Sequence, residues 1–307
     1  YIHQSNPTSQ FPNQKPSPGK IDDIKEIEKN EGCLQLYKYQ LDGVNWLRKQ
    51  WVSATNCILA DDDGLGKSVQ VIAFLDYSAK NEGLETPFLI VAPLAMLARW
   101  EHEFSTWSDL NVVTYAGSKE SRRIIQENEF FLNETKDPKF DALLTSYELM
   151  VSDVAILSQF RYSIMVLDET FRLKNTQSTF LQSLLQMNGE FRVLLTGMEL
   201  QDDELRGIFE YLHPNATSCG EQINLRSQLE SVMLRRLKSD VVFSLNEEYL
   251  IECCMTKHQK ELYRTILQSN SGFLVAGVNL VSICNELRKV CNHPFLIKGA
   301  EDIIVSG

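Results

Sequence analysis

Between residues 57 and 196, short and almost wholly apolar runs alternate with longer amphipathic stretches, a pattern that leaves few folds open. The runs are Cys57–Ala60, Phe88–Ala92, Val112–Tyr115, Ala142–Thr145, Ser163–Leu167 and Arg192–Thr196. Each has the length of a strand and is apolar along nearly its whole course, as strands of a parallel sheet covered on both faces are. The stretches between them carry apolar residues at helical spacing: Ser68–Ser78, Ala95–Phe104, Ser118–Asn128, Tyr147–Ser158 and Ser178–Met187. An α/β domain with a parallel sheet is predicted, and such sheets take ligands at the carboxyl ends of their strands.

The first of those carboxyl ends carries the chemistry. Cys57-Ile58-Leu59 runs into Ala60-Asp61-Asp62-Asp63-Gly64-Leu65-Gly66-Lys67-Ser68, a strand entering a glycine-rich loop that opens a helix. Such a loop aims backbone N–H groups at phosphates; Lys67 would contact the outer phosphates and the Ser68 hydroxyl would hold Mg²⁺. The strict pattern wants a glycine at Asp61, and three aspartates crowd a site for polyphosphate. If Asp63 faced the phosphates from about 5 Å, the repulsion would be roughly 3 kcal/mol at an effective dielectric near 20. Further on, Ile164-Met165-Val166-Leu167 ends in Asp168-Glu169. There Asp168 can hold the metal and Glu169 can orient or deprotonate a water.

Composition sets the outer bounds. At 307 residues, about two domains are expected, each able to bury a core. A formal charge of -11 argues against a surface that coats nucleic acid, though it leaves room for a local basic groove. Seven cysteines without paired CxxC spacing fit a reducing compartment better than a disulfide framework. Cys284, Cys291 and His293 read as helix-face packing in preference to a metal cluster. The longest apolar stretch, Phe88 to Leu97, is too short to span a bilayer, and no targeting signal is visible. Beginning at Tyr1 and stopping at Gly307, the chain has the look of a piece cut from something longer.

Residues 1–20 read as a flexible lead-in and 21–35 as a short helix lying on the body. Leu36 to Trp51 is a stronger helix. Past His213-Pro214, Ser218 to Ser239 reads as a polar connector leading into a helix that ends in Arg235-Arg236-Leu237-Lys238. A strand at Tyr249–Cys253 and helices at Lys257–Gln268 and Val278–Val290 are then expected.

The segment Leu36-Tyr37-Lys38-Tyr39-Gln40-Leu41-Asp42-Gly43-Val44-Asn45-Trp46-Leu47 resembles the adenine-side motif of SNF2-family chromatin-remodelling ATPases. The rest follows in family order: Asp61 to Ser68, Val91-Ala92-Pro93-Leu94 to Trp100, Leu144-Thr145-Ser146-Tyr147-Glu148, Asp168-Glu169 with Arg172-Leu173-Lys174-Asn175, and Leu194-Leu195-Thr196-Gly197 with Leu200-Gln201. Met233 to Lys238 and Cys291 to Leu296 resemble its inter-lobe segment and early second lobe. The nearest flavour is the CHD, Mi-2-like branch.

That resemblance implies a RecA-like lobe over 36–213, a connector over 214–255 and the incomplete start of a second RecA-like lobe over 256–307. It implies ATP and Mg²⁺ as cofactors. Gln40 would read the adenine; Gly64, Leu65, Gly66, Lys67 and Ser68 would hold the phosphates; Ser68 and Asp168 would hold Mg²⁺. Trp100, Ser146, Tyr147, Arg172 and Lys174 would face duplex DNA or organise that groove, unless Trp100 is core and Arg172 and Lys174 a solvated face. Partners would be duplex DNA or a nucleosome and other chromatin proteins, in the nucleus.

Four departures fall on working parts. Asp62-Asp63 stand where the family has Glu-Met, Thr170-Phe171 where it has Ala-His, Met198-Glu199 where it has Thr-Pro, and Asp202-Asp203 where it has asparagines. Phe171 and Met198 remove polar groups from both sides of one network, which is then expected to be rebuilt as packing. The arginine fingers that the family carries in its second lobe, worth about 10³ to 10⁵ in rate, are not in this sequence. The expectation is a degenerate module resembling the plant transcriptional silencing proteins of the Morpheus-molecule type, with ATP binding weakened or lost, Lys67 and Glu169 as its catalytic residues and the water activation by Glu169 vestigial. The alternative is a fragment of an active DNA-dependent ATPase and nucleosome remodeler.

Overall fold

The computed structural model describes residues 35–132, 137–169, 173–174, 178–213, 225–241, 251–270 and 280–301, with the Asp203 side chain also left aside. The expected lead-in and short helix over 1–35 fall almost wholly outside these residues, as do Thr170, Phe171 and Arg172. Two compact units divide the chain, one ending at Phe243 and the other beginning at Ser244.

The first unit is built on a seven-stranded, wholly parallel sheet in the order β3-β4-β2-β5-β6-β1-β7. Its strands are β1 (Cys57–Leu59), β2 (Phe88–Ala92), β3 (Val112–Tyr115), β4 (Ala142–Ser146), β5 (Arg161–Asp168), β6 (Asn188–Leu195) and β7 (Met233–Leu234). The helices are α1 (Lys38–Val52), α2 (Lys67–Asn81), α3 (Leu97–Trp107), α4 (Lys119–Glu129), α5 (Tyr147–Ser152), α6 (Val154–Leu157), α7 (Thr179–Leu185), α8 (Asp202–Leu212), α9 (Leu225–Ser231) and α10 (Lys238–Val241). The pleat sends alternate residues to opposite cores. Phe88, Ile90 and Ala92 of β2 join Val44, Leu47, Phe74 and Trp100 on one face. Leu89 and Val91 join Tyr115, Phe140, Tyr162 and Tyr211 on the other. Continuous apolar strands are therefore what a sheet with two covered faces requires.

Two departures from expectation have clear causes. The helix expected over 147–158 breaks at Asp153, whose carboxylate accepts from Tyr115 Oη at 2.7 Å and pairs with Arg122 at 2.8 Å. The second lies past residue 213, where a connector was expected. Arg235-Arg236-Leu237 does not end a helix. Helix α9 stops at Ser231, and β7 then pairs with β1, with Ile58 N donating to the Val232 carbonyl at 3.0 Å and Ala60 N to that of Leu234 at 2.7 Å. An unpaired β1 edge would leave buried backbone groups unbonded, and β7 satisfies them.

Among the described residues the second unit is helical, with α11 (Lys257–Ser269) and α12 (Leu280–Asn292) packed through Ile266, Ile283 and Val290. Gln259 closes a capping box with Thr256 and donates to the Val290 and Cys291 carbonyls. Of the strand expected at 249–253, the first two residues lie outside the described set, and Ile251–Cys253 form no strand among the described residues. Cys284 and Cys291, expected in packing, are exposed on α12. The His293 Nδ1 accepts from Phe295 N at 3.2 Å. No helix among the described residues is long and apolar enough to cross a membrane.

Candidate nucleotide site

Neighbours β1, β6 and β5 end side by side, and their carboxyl ends open on one cleft of about 240 Å³. It is lined by Gly64, Gly66, Lys67 and Ser68 after β1, Asp168 and Glu169 from β5, and Thr196 and Gly197 after β6. Sequence motifs separated by more than a hundred positions thus meet where parallel sheets place ligands.

The loop is shaped by its glycines. Gly64 and Gly66 have φ of 88° and 78°, left-handed values that a side chain rarely adopts, and Gly66 leads directly into α2. The amino end of this helix points its unpaired N–H groups and positive dipole end at the cleft. Lys67 Nζ donates to the Asp61 carbonyl and to Asp63 Oδ1, both at 2.9 Å. The lysine side chain is 12% exposed and the aspartate 80%, so an open carboxylate lies on the lysine expected to meet phosphate.

Across the cleft, Asp168 Oδ2 accepts from the Trp100 indole N–H at 2.8 Å. Burial pushes the Asp168 carboxyl above the usual carboxylate range, with the Trp100 hydrogen bond and the Lys67 charge pulling it partly back. Glu169 takes a φ of 70°, a costly conformation for a residue with a side chain. Its N–H is fixed by the Leu195 carbonyl at 3.0 Å, and its carbonyl accepts from Tyr147 Oη at 3.2 Å. Strain of this kind gathers at functional sites, and here it turns Glu169 toward the cleft lining.

Gln40 joins the loop from α1. Its Nε2 donates to the Leu65 carbonyl at 3.2 Å, and its Oε1 accepts from Tyr37 N at 2.9 Å. The duplex-facing set fares differently. Trp100, Ser146 and Tyr147 are only 1%, 1% and 3% exposed. Trp100 is core, Ser146 caps α5 by accepting from Leu149 N, and Tyr147 braces Glu169. All three side chains turn inward, into contacts within the lobe. Lys174 is 41% exposed, with Nζ donating to Gln201 at 2.9 Å and pairing with Glu204 at 3.4 Å. Met198 is 63% exposed and the Thr196 hydroxyl donates to its carbonyl at 3.2 Å, while Phe171, the other half of the expected repacking, lies outside the described residues.

Two residues escaped the sequence reading. Arg99 lines the cleft beside Trp100 and pairs with Glu103 at 2.9 Å. Arg236 grips Asp61 from behind the loop. Both lie in stretches that resemble family segments, Val91 to Trp100 and Met233 to Lys238, but no spacing rule connects residue 236 with residue 61.

The donor set suits a magnesium polyphosphate. Lys67 and the α2 amino end could answer phosphate charge, Ser68 and Asp168 could supply hard oxygen ligands, and Glu169 could supply a carboxylate for a water. The SNF2-related domain matches residues 39–296, and the chain belongs to the SNF2 family. Within it the chain sits in the CHD-like branch. It is 41% identical over 302 residues to chromodomain-helicase-DNA-binding protein 8 of Homo sapiens, covering 89% of this chain and 12% of that protein. Identity to chromodomain-helicase-DNA-binding protein 9 of Homo sapiens is 40% over 316 residues, covering 93% and 11%. The chain therefore spans about an eighth of the length of these relatives or less. The SWI2/SNF2 ATPase core of Sulfolobus solfataricus in complex with dsDNA superposes with a TM-score of 0.62 at 24% identity, covering 90% of this chain and 62% of that one. The first unit has the fold of a RecA-like lobe.

Proposed function

We propose that this chain is the SNF2-type module of a nuclear chromatin protein acting in transcriptional regulation or gene silencing, and that it binds Mg-ATP weakly and serves as a binding unit more than as a motor. The observation that carries the reading is the Lys67–Asp63 ion pair at the mouth of the cleft. A phosphate must compete with this carboxylate for the lysine, and it brings further negative charge beside it. Because Asp63 is largely exposed, water screens that repulsion, and the hundredfold loss expected at close range shrinks to about tenfold. The names of its relatives point to DNA as a partner, and the family's ATPase character supports ATP and Mg²⁺.

The second reading, a fragment of an active DNA-dependent ATPase and remodeler, is favoured by one fact. Lys67, Ser68, Asp168 and Glu169 all line one cleft. Titration with a fluorescent Mg-ATP analogue separates the two. Weak binding is expected, lost in Lys67→Ala and tightened about tenfold, or 1.4 kcal/mol, in Asp63→Met. Tight binding by the parent chain, unchanged by Asp63→Met, would overturn the degenerate reading.

A further inference from the structure

Asp61, at the start of the phosphate loop, is 0% exposed and is gripped by a residue from far along the chain. The Arg236 guanidinium donates through Nε to Asp61 Oδ1 at 2.8 Å and through Nη2 to Asp61 Oδ2, a bidentate pair. The same Nη2 donates to Gln70 Oε1 of α2 at 2.7 Å, and Nη1 donates to the Tyr39 carbonyl of α1. The guanidinium also lies over the Tyr39 ring, 5.4 Å from its centroid. Gln70 closes the circuit, its Nε2 donating to Asp61 Oδ2 at 3.1 Å and to the Leu65 and Gly66 carbonyls at 3.4 and 3.3 Å. Backbone bonds run alongside: Asp62 N to the Arg236 carbonyl at 3.0 Å, and Lys238 N to Asp62 Oδ2 at 3.1 Å.

The surroundings are shaped to admit this knot. A Cβ at Gly43 of α1 would fall 1.8 Å from Gln70 Oε1 and 2.9 Å from Arg236 Nη2. Glycine inside a helix is destabilising relative to alanine, and here it provides the space the network fills.

The consequence for the cleft follows from peptide geometry. In a trans peptide the C=O and N–H point in opposite directions. The Leu65 carbonyl is held by Gln70 Nε2 together with Gln40 Nε2 at 3.2 Å, and the Gly66 carbonyl by Gln70 Nε2 together with the Gln70 backbone N–H at 3.0 Å, which turns the N–H groups of Gly66 and Lys67 the other way, toward the cleft. We propose that Arg236 is a positioning residue of the nucleotide site: by fixing Asp61 and Gln70, it keeps the loop's N–H groups aimed at phosphate. This rests on the nucleotide-binding reading above. It also ties the loop to the segment that leads, in chain order, toward the second unit.

The test uses the purified chain with Arg236→Met, and with Arg236→Met joined to Asp61→Leu so that no buried charge is left unpaired. Thermal melting, amide hydrogen exchange over 62–68 and fluorescent Mg-ATP titration are read together. The single variant melts lower and binds more weakly. In the double variant, melting recovers while loop amides exchange at least tenfold faster and affinity falls at least tenfold. A double variant with parent-like loop protection shows the network to be only structural and overturns the proposal. Should the parent bind no nucleotide, the nucleotide reading fails by itself, and loop exchange still decides the role of Arg236. If the double variant does not fold, Arg236→Lys, which keeps the charge without the bidentate fork, enters the same comparison.

Discussion

Asp61 and Asp63 stand two positions apart in one loop and live in opposite surroundings. Asp61 is fully buried against a guanidinium and an amide, while Asp63 is 80% exposed and reaches Lys67 across the mouth of the cleft. The same carboxylate therefore answers to different forces. At Asp61 water is gone and every oxygen must find a donor, so the fold determines its role. At Asp63 water screens the charge, so the fold hardly depends on it, whereas on the proposed reading an incoming phosphate would. One end of the loop is anchorage and the other is chemistry.

The largest expected effect tests that contrast directly. Asp61→Ala strands the Arg236 charge in a site where its side chain is 15% exposed, and breaking a buried pair costs about 3–5 kcal/mol. Asp63→Ala removes an exposed partner and should stay within about 0.5 kcal/mol of the parent. Urea unfolding of both variants measures the difference. Near-equal losses would erase the distinction between the two ends.

A similar pairing of support and chemistry faces the loop across the cleft. Trp100 is buried and serves Asp168, which lines the cleft. Trp100→Phe removes the indole donor and leaves a buried carboxylate oxygen without it. The expected loss is about 2 kcal/mol, in the range for hydrogen bonds to charged groups, with some further loss from the smaller ring. Trp100 fluorescence should also shift when Mg-nucleotide binds, because its N–H partner is the expected metal ligand. A stability change under about 0.5 kcal/mol would mean that the Trp100–Asp168 bond matters little.

How far these arrangements could be read in advance depended on the kind of signal. β2 was legible to the residue because a doubly covered parallel strand is apolar throughout, and β3, at the sheet edge, because its β-branched and aromatic residues favour a half-buried strand. The loop and the Asp168-Glu169 pair were legible because phosphate and metal chemistry restrict residue types at close spacing. β7 was not: Met233–Leu234 is too short for periodicity, and the basic run after it looks like the end of a helix. Nor did motif position tell which way an aromatic side chain faces. Trp100 and Tyr147 occupy motif positions and yet point into the protein, holding Asp168 and the Glu169 backbone. Arg236 was hidden because its partner lies 175 positions away, beyond any local pattern.

Asp168 combines both roles in one side chain, and its pH dependence is the finest test of the contrast. Burial raises its folded pKa above the unfolded value, so the native state binds more protons between the two. Its contribution to stability is therefore most favourable below the ordinary carboxylate pKa and falls as pH rises through the raised value. Mg-nucleotide binding should run the other way, because a metal ligand must be ionised, and should strengthen over the same rise in pH. Asp168→Asn removes the titration from both curves. Melting of the variant should lose this part of its pH dependence while the Trp100 donor keeps an amide oxygen to bond. Mg-dependent affinity should be low and flat with pH. Parallel movement of stability and affinity in the parent chain, both rising with pH through this window, would show that the carboxylate is stabilised by its surroundings and not held against the cost of burial.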